Sequence, residues 1–129
     1  MQRRFLVTGA VLGLLAVIIG AFAAHGLKPL LDRAAIESFE TGVRYQMYHA
    51  LLLLFLGGFG LLSAKGEKII FYLLLAGVIL FSGSIYALST NSLTPVDFRK
   101  IALLTPLGGT LMIIAWTYIV VEFYKLKKK

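Results

Sequence analysis

The sequence predicts an all-α protein, a four-helix transmembrane bundle in which an amphipathic helical extension precedes the second span. The 129-residue chain is 59% hydrophobic and only 15% charged, with a mean hydropathy of +0.87, whereas about a quarter of the residues of a soluble domain are charged. Four apolar stretches, at about 5–24, 45–62, 69–88 and 101–121, are each long enough to cross a bilayer as a helix. Because four spans leave no room for more, residues 1–129 are predicted to form a single integral membrane domain.

The first span, 5–24, follows two arginines and ends in small residues, a pattern that also resembles a cleavable signal peptide. Two features favour a retained helix. The apolar run is longer than a typical signal core. It also carries small residues near four-residue spacing, including Gly9 and Gly13, which suit close helix packing. Gly26 and Pro29 then predict the end of this helix.

The extension before the second span has an apolar face and a polar face when it is drawn as a helix. The polar face carries Glu37, Glu40 and Arg44. Glu40 precedes Arg44 by four residues, which is the favourable order for an ion pair, and Glu37 lies one turn further along the same face. We therefore expect Arg44 to pair with Glu40 or Glu37.

The connections between the remaining spans are polar. The residues 65–68, KGEK, predict a tight turn between the second and third spans. The residues 94–97, TPVD, predict a helix start, because a threonine cap is followed by proline and an acid in the first turn. Pro106 falls inside the predicted fourth span, flanked by Thr105 and by Gly108 and Gly109, so we expect it to kink that helix.

The distribution of positive charge predicts the orientation. Eight Lys and Arg lie at the two chain ends and in the 65–68 turn, and five lie in the other two connections. The richer side faces the cytoplasm. We therefore predict that both termini are cytoplasmic and that the protein is a multi-pass protein of the plasma membrane, with the bacterial inner membrane as the first choice.

This topology predicts that polar residues far apart in sequence meet near the outer face of the bundle. They come from the outward halves of all four helices. The candidate ligand-binding residues are Arg44, Tyr45, Tyr48, His49, Ser84, Tyr86 and Thr105.

Four segments of the chain resemble the small membrane proteins of domain-of-unknown-function family 423. They are GAFAAHGLK at 20–28, FETGVRYQMYHALLLL at 39–54, FSGSIYAL at 81–88 and TPLGGTLMIIAW at 105–116. The resemblance implies a four-span integral membrane protein, and it implies no activity. Ala23 departs from the family pattern, where glycine is common. The residues that match the family motifs are His25, Gly26, Arg44, Tyr45, Gln46, His49, Gly83, Ser84, Tyr86, Thr105, Pro106, Gly108 and Gly109.

The residues themselves leave several functions open. In one interpretation the protein is a scaffold, and its polar groups pair only with one another, because unpaired polar groups are costly in lipid. Alternatively, Arg44, its neighbouring tyrosines and a carbonyl freed by Pro106 bind a lipid headgroup or a small anion. A kinked helix beside a charge also fits a homo-oligomeric channel or a small-molecule transporter. The first span has no acid, which argues against proton-coupled export of cations.

Other chemistry has weaker signals. His25 and His49 are candidates for haem or metal ligation, but they show no ligand spacing, so no cofactor is assigned. No catalytic motif is present, and we predict that the protein is not an enzyme. The net charge of +7 lies at span ends, which indicates membrane lipids rather than nucleic acid as partners. The absence of cysteine excludes disulfides. Gly83, Gly108 and Gly109 are also predicted to allow close helix packing, and the glycine faces, Gly9 with Gly13 or Gly57 with Gly58, leave a homo-oligomer possible.

Overall fold

The computed structural model describes residues 2–126 and is all-α with no strand in that range, which confirms the predicted fold class. The four helices are α1 (Gln2–Phe22), α2 (Arg33–Phe59), α3 (Ala64–Ser89) and α4 (Leu104–Tyr124). A five-residue π-helical turn, Ala23–Leu27, continues α1. Short 3₁₀ turns at Asn91–Leu93 and Phe98–Ile101 lie between α3 and α4.

The helices run up and down as two antiparallel hairpins, α1–α2 and α3–α4. The start of α1, the α2–α3 turn and the end of α4 lie together at what we call the terminal end. For example, Arg4 donates a hydrogen bond to the Tyr72 hydroxyl over 3.2 Å, and Ser63 bonds to Glu122. The other two connections, 23–32 and 90–103, form the distal end.

Three of the described segments, Gln2–Leu27, Ala64–Ser89 and Phe98–Tyr124, are long and apolar enough to cross a membrane. Helix α2 does not meet this criterion, although a span was predicted at 45–62. Its first half carries Arg33, Glu37, Glu40 and Arg44, and its apolar half is shortened because the helix ends at Phe59. The evidence that α2 crosses the membrane is therefore the order of the helices. Because α1 and α3 both begin at the terminal end, α2 must run from the distal end back to the terminal end.

The turn between α2 and α3 lies earlier than predicted. Gly60 ends α2 with φ of +60°, a left-handed conformation that glycine adopts without a steric penalty. Ser63 then caps α3, its hydroxyl accepting a hydrogen bond from the Gly66 backbone N–H over 3.0 Å. The residues 65–68, predicted to form the turn, instead lie in the first turns of α3.

The start of α4 also differs from the prediction. Asp97, and not Thr94, is the capping residue, and it begins a 3₁₀ turn rather than an α-helix. Since α4 begins at Leu104, Pro106 lies in its first turn, where the missing N–H has no intrahelical partner in any case. Pro106 therefore lies near the junction between the 3₁₀ turn and α4, and not in the interior of an α-helix as expected.

Glycines allow the two helices of each hairpin to approach closely. In the first hairpin, a Cβ added to Gly9 would lie 2.8 Å from the Ala50 carbonyl oxygen. In the second, a Cβ added to Gly108 would overlap the Phe81 backbone and lie 2.8 Å from the Gly77 carbonyl oxygen. Both positions are incompatible with a larger side chain unless the helices separate.

The other glycines considered for packing divide into two groups. Gly13 faces Ala50 and Gly57 faces Phe5, so both lie against the chain's own helices, and Gly109 lies 3.7 Å from the Phe81 ring. Gly58 and Gly83 have nothing within 4 Å. Gly83, predicted to be a packing residue, therefore has no packing contact within the described chain.

The main core lies toward the terminal end and is apolar. All four helices contribute fully buried side chains to it, among them Phe5, Leu53, Ile70 and Ala115. The rings of Phe5 and Phe71 lie 5.3 Å apart and join α1 to α3. A second, smaller apolar cluster of Ala23, Leu27, Ile36 and Phe39 lies at the distal end, and buried polar side chains elsewhere in the bundle define the candidate site.

Candidate functional site: a polar seam and a charged groove

Gln46 connects three helices near the middle of the bundle. Its side chain is only 4% exposed. The amide nitrogen donates to the Leu12 carbonyl oxygen of α1 over 2.9 Å, and the amide oxygen accepts from the Tyr86 hydroxyl of α3 over 2.7 Å. An amide suits this position because it offers a donor to one neighbour and an acceptor to the other.

A second bond runs beside it between α2 and α3. The buried Ser82 hydroxyl donates to the Gly42 carbonyl oxygen over 2.7 Å. Gly42 has no side chain to obstruct this approach, since an added Cβ would lie 2.9 Å from the Tyr86 ring. The Tyr86 ring also packs on Phe39, with ring centroids 4.9 Å apart.

His49, one turn below Gln46, bonds through both ring nitrogens. Its Nδ1 lies 2.7 Å from the Tyr45 carbonyl oxygen, and its Nε2 lies 3.1 Å from the Trp116 indole nitrogen of α4. The indole is only a donor and the carbonyl only an acceptor. This pattern assigns the proton to Nδ1 and a neutral ring. We call Gly42, Gln46, His49, Ser82, Tyr86 and Trp116 the polar seam.

The two histidines do not form a ligand pair. His25 is exposed on the π-helical turn, where its Nδ1 is 2.9 Å from the Ala21 carbonyl oxygen. That turn packs against Ile36 and Phe39 through Leu27, whereas His49 lies ten residues beyond Phe39, roughly 15 Å further along α2. No group of three or more potential metal ligands occurs among residues 2–126. His25 and His49 therefore lie at different depths in the bundle.

The predicted cluster of seven residues is divided in the structure. Tyr86 and His49 belong to the polar seam. Ser84 and Thr105 bond to each other through their hydroxyls, between α3 and α4. Tyr45 is 39% exposed and stacks on His49, with ring centroids 6.3 Å apart, whereas Tyr48 is 54% exposed, with its ring 5.7 Å from that of Tyr45.

Arg44 is separate from all of these. Its guanidinium donates to the Thr41 hydroxyl over 3.0 Å. Within residues 2–126 it has no carboxylate within 4.0 Å, and Glu37 instead pairs with Arg33 over 3.0 Å. The predicted ion pair of Arg44 with Glu40 or Glu37 is not formed. Arg33, one turn before Glu37, pairs with Glu37, and the Arg44 guanidinium bonds to Thr41 rather than to Glu40.

Arg44 lines an open groove between α1 and α2 near the distal end. The groove has a volume of about 260 Å³ and is bounded by Gly20 and Ala24 on one side and by Glu40, Val43 and Arg44 on the other. The two small residues leave the space open. We call this site the charged groove. Successive residues of an α-helix are rotated by about 100° around its axis. Glu40 and Arg44 therefore lie on the face of α2 opposite Gln46 and His49.

Sequence reasoning missed several residues that the structure uses. Gln46 was noted only as part of a family motif, and Ser82 and Trp116 were given no role. Glu122 was also missed, although an acid close to a basic tail is a signal. Its carboxylate accepts from the backbone N–H and the hydroxyl of Ser63, each over 2.8 Å, and so closes the terminal end.

The fold and these buried polar contacts define the class: a helical membrane protein whose helices are joined by hydrogen bonds within the bundle. The chain belongs to the family described as "Protein of unknown function (DUF423)", which matches residues 19–109.

Relatives align along almost their whole length. The chain is 40% identical to UPF0382 membrane protein YwdK of Bacillus subtilis, over 96% of this chain and 98% of that protein. It is 35% identical to a UPF0382 membrane protein of Haemophilus influenzae, over 98% of each. It is 34% identical to UPF0382 inner membrane protein YgdD of Escherichia coli, over 99% and 95%. No solved structure matches the chain.

Proposed function

We propose that the protein is a phospholipid-binding bundle of the plasma membrane, which holds a lipid headgroup phosphate at the charged groove through Arg44. The observation that supports this proposal is the state of Arg44. It is an exposed cation on a membrane helix, it lines an open groove, and it has no carboxylate partner within the described residues. A cation at the edge of the hydrocarbon requires a counter-charge, and lipid phosphates supply one there.

The chemistry of the groove fits a lipid. A guanidinium is a planar donor that binds phosphate oxygens through two N–H groups at once. The small residues Gly20 and Ala24 leave room beside it. None of the residues that line the groove is buried, and Ala24, Glu40 and Arg44 are exposed, so a lipid reaches the groove from the membrane without any helix moving apart.

The proposed location and orientation rest on charge and on the relatives. The relative in Escherichia coli is named an inner membrane protein. Both termini are proposed to be cytoplasmic, which places the charged groove in the outward leaflet. A cysteine introduced for Asn91, in the distal connection of a chain without native cysteine, should react with an impermeant maleimide added outside intact cells. Reaction only after lysis would reverse the orientation.

The binding test compares two arginines on the same helix. We expect Arg44→Gln to lower the amount of phospholipid retained by the purified protein about tenfold or more. Losing a hydrogen bond to a charged group costs about 1.5–3 kcal/mol. Arg33→Gln is the matched control, because Arg33 is an exposed arginine that already has an acid partner.

Native mass spectrometry of protein extracted in mild detergent measures the retained lipid. Equal lipid retention in Arg44→Gln, Arg33→Gln and wild type would show that the groove does not bind phosphate.

A further inference from the structure

The charged groove contains an acid as well as a cation. Glu40 and Arg44 lie one helical turn apart and line the same opening, with Glu40 in the favourable order for an i, i+4 pair. No ion pair joins them within 4.0 Å. The groove therefore presents a separated negative and positive charge, both exposed, next to a wall of small residues.

We infer that the occupant of the charged groove is a zwitterionic phospholipid with a primary amine, of the ethanolamine class, whose phosphate binds Arg44 and whose ammonium group binds Glu40. This inference rests on the proposed function, and it adds the identity of the headgroup. A primary ammonium group carries three N–H donors that a carboxylate can accept. A choline headgroup carries none, and a glycerol headgroup carries no positive charge.

The order of the two charges along α2 supports this assignment. The helix runs from the distal end inward, so Glu40 lies closer to the distal surface than Arg44 by about 6 Å, four residues at 1.5 Å each. In a phospholipid the phosphate lies next to the acyl chains and the amine lies beyond it, further from the membrane centre. A lipid whose chains point to the membrane centre thus presents its phosphate at the level of Arg44 and its amine at the level of Glu40.

The neighbouring acid on the same helix provides a matched control. Glu37 is exposed like Glu40, but it is held by Arg33 and does not line this groove. Glu37→Gln removes the same charge from the same helix at a residue that does not line the charged groove. Any effect of net charge alone on lipid binding will therefore appear equally in both variants.

The experiment reconstitutes the full-length protein in vesicles containing equal amounts of phosphatidylethanolamine, phosphatidylcholine and phosphatidylglycerol, and identifies the lipids retained after extraction. We expect phosphatidylethanolamine to exceed each of the others about tenfold in wild type and in Glu37→Gln. In Glu40→Gln the preference over phosphatidylcholine should fall to near one. Melting temperatures within a few degrees of one another show that the variants are folded.

The failures are distinguishable. Equal retention of the three lipids, or a preference for phosphatidylglycerol, with retention still dependent on Arg44, would overturn the ethanolamine assignment and leave phosphate binding intact. A preference for phosphatidylethanolamine that survives Glu40→Gln would overturn the role of Glu40. Retention that does not depend on Arg44 would overturn both proposals.

Discussion

Close approach of two backbones at glycine occurs inside each helical hairpin, whereas most side-chain hydrogen bonds of the polar seam run between the two hairpins. Inside a hairpin, glycine brings two backbones together, at Gly9 in the first and at Gly108 in the second. Between the hairpins, the middle of the bundle and part of its distal half are joined by the side-chain hydrogen bonds of the polar seam, through Gln46, Ser82 and His49. Toward the terminal end the hairpins meet in the apolar core instead.

The difference reflects the solvent in which this protein folds. In lipid, apolar side chains gain little by leaving their surroundings, so helices associate through close packing and hydrogen bonds. Close packing depends on shape and tolerates no added volume. A hydrogen bond between helices is worth about 0.6 kcal/mol on average and about 1.7 at most. The stability of each hairpin should therefore be sensitive to small increases in side-chain size. The stability of the polar seam should be sensitive to the loss of a polar group.

The largest effect is expected inside the second hairpin. Gly108→Ala should lower the free energy of unfolding by about 2 kcal/mol, because the new methyl group meets the backbone of Phe81 and Gly77. Gly83→Ala is the control. Nothing lies within 4 Å of that position, and alanine there should be neutral or stabilise by up to about 1 kcal/mol.

Reversible unfolding in bicelles measures the free energies of both variants. If the two substitutions have equal effects, close approach at Gly108 does not hold the second hairpin together.

The charged groove and the polar seam are separate, and this separation matters for the proposed function. The charged groove belongs to the first hairpin alone and lies on the face of α2 opposite the polar seam. The phospholipid proposal therefore does not depend on the seam. A variant that weakens the seam without unfolding the protein should keep its lipid.

Much of the fold could be predicted from the sequence, because long apolar runs specify helices and their order wherever water is absent. The helix ends were harder to predict. Four charged or small residues at 65–68 resemble a turn, but Gly60 and Ser63 provide stronger stop and start signals. Pro106 was read as interior because hydropathy does not show that the α-helix starts only at Leu104.

The site was predicted less well, for a physical reason. Periodicity shows which residues share a face of one helix, and it placed Glu40 and Arg44 on one face correctly. It does not show which partner a long charged side chain takes when several lie within one turn, so the pairing of Glu37 with Arg33 was missed. Contacts between helices, such as Gln46 with Tyr86, depend on depth and rotation that a single sequence does not give.

Polar side chains join the two hairpins, and the Gln46–Tyr86 hydrogen bond of 2.7 Å offers the most direct test of this role. A double-mutant cycle would combine Gln46→Leu with Tyr86→Phe and measure the free energy of unfolding in bicelles. A parallel cycle with Tyr48→Phe is the control, since Tyr48 lies on the surface.

We predict a coupling energy of about 0.6–1.7 kcal/mol for Gln46 with Tyr86 and none for Gln46 with Tyr48. Effects of Gln46→Leu and Tyr86→Phe that add to within about 0.3 kcal/mol would contradict the account.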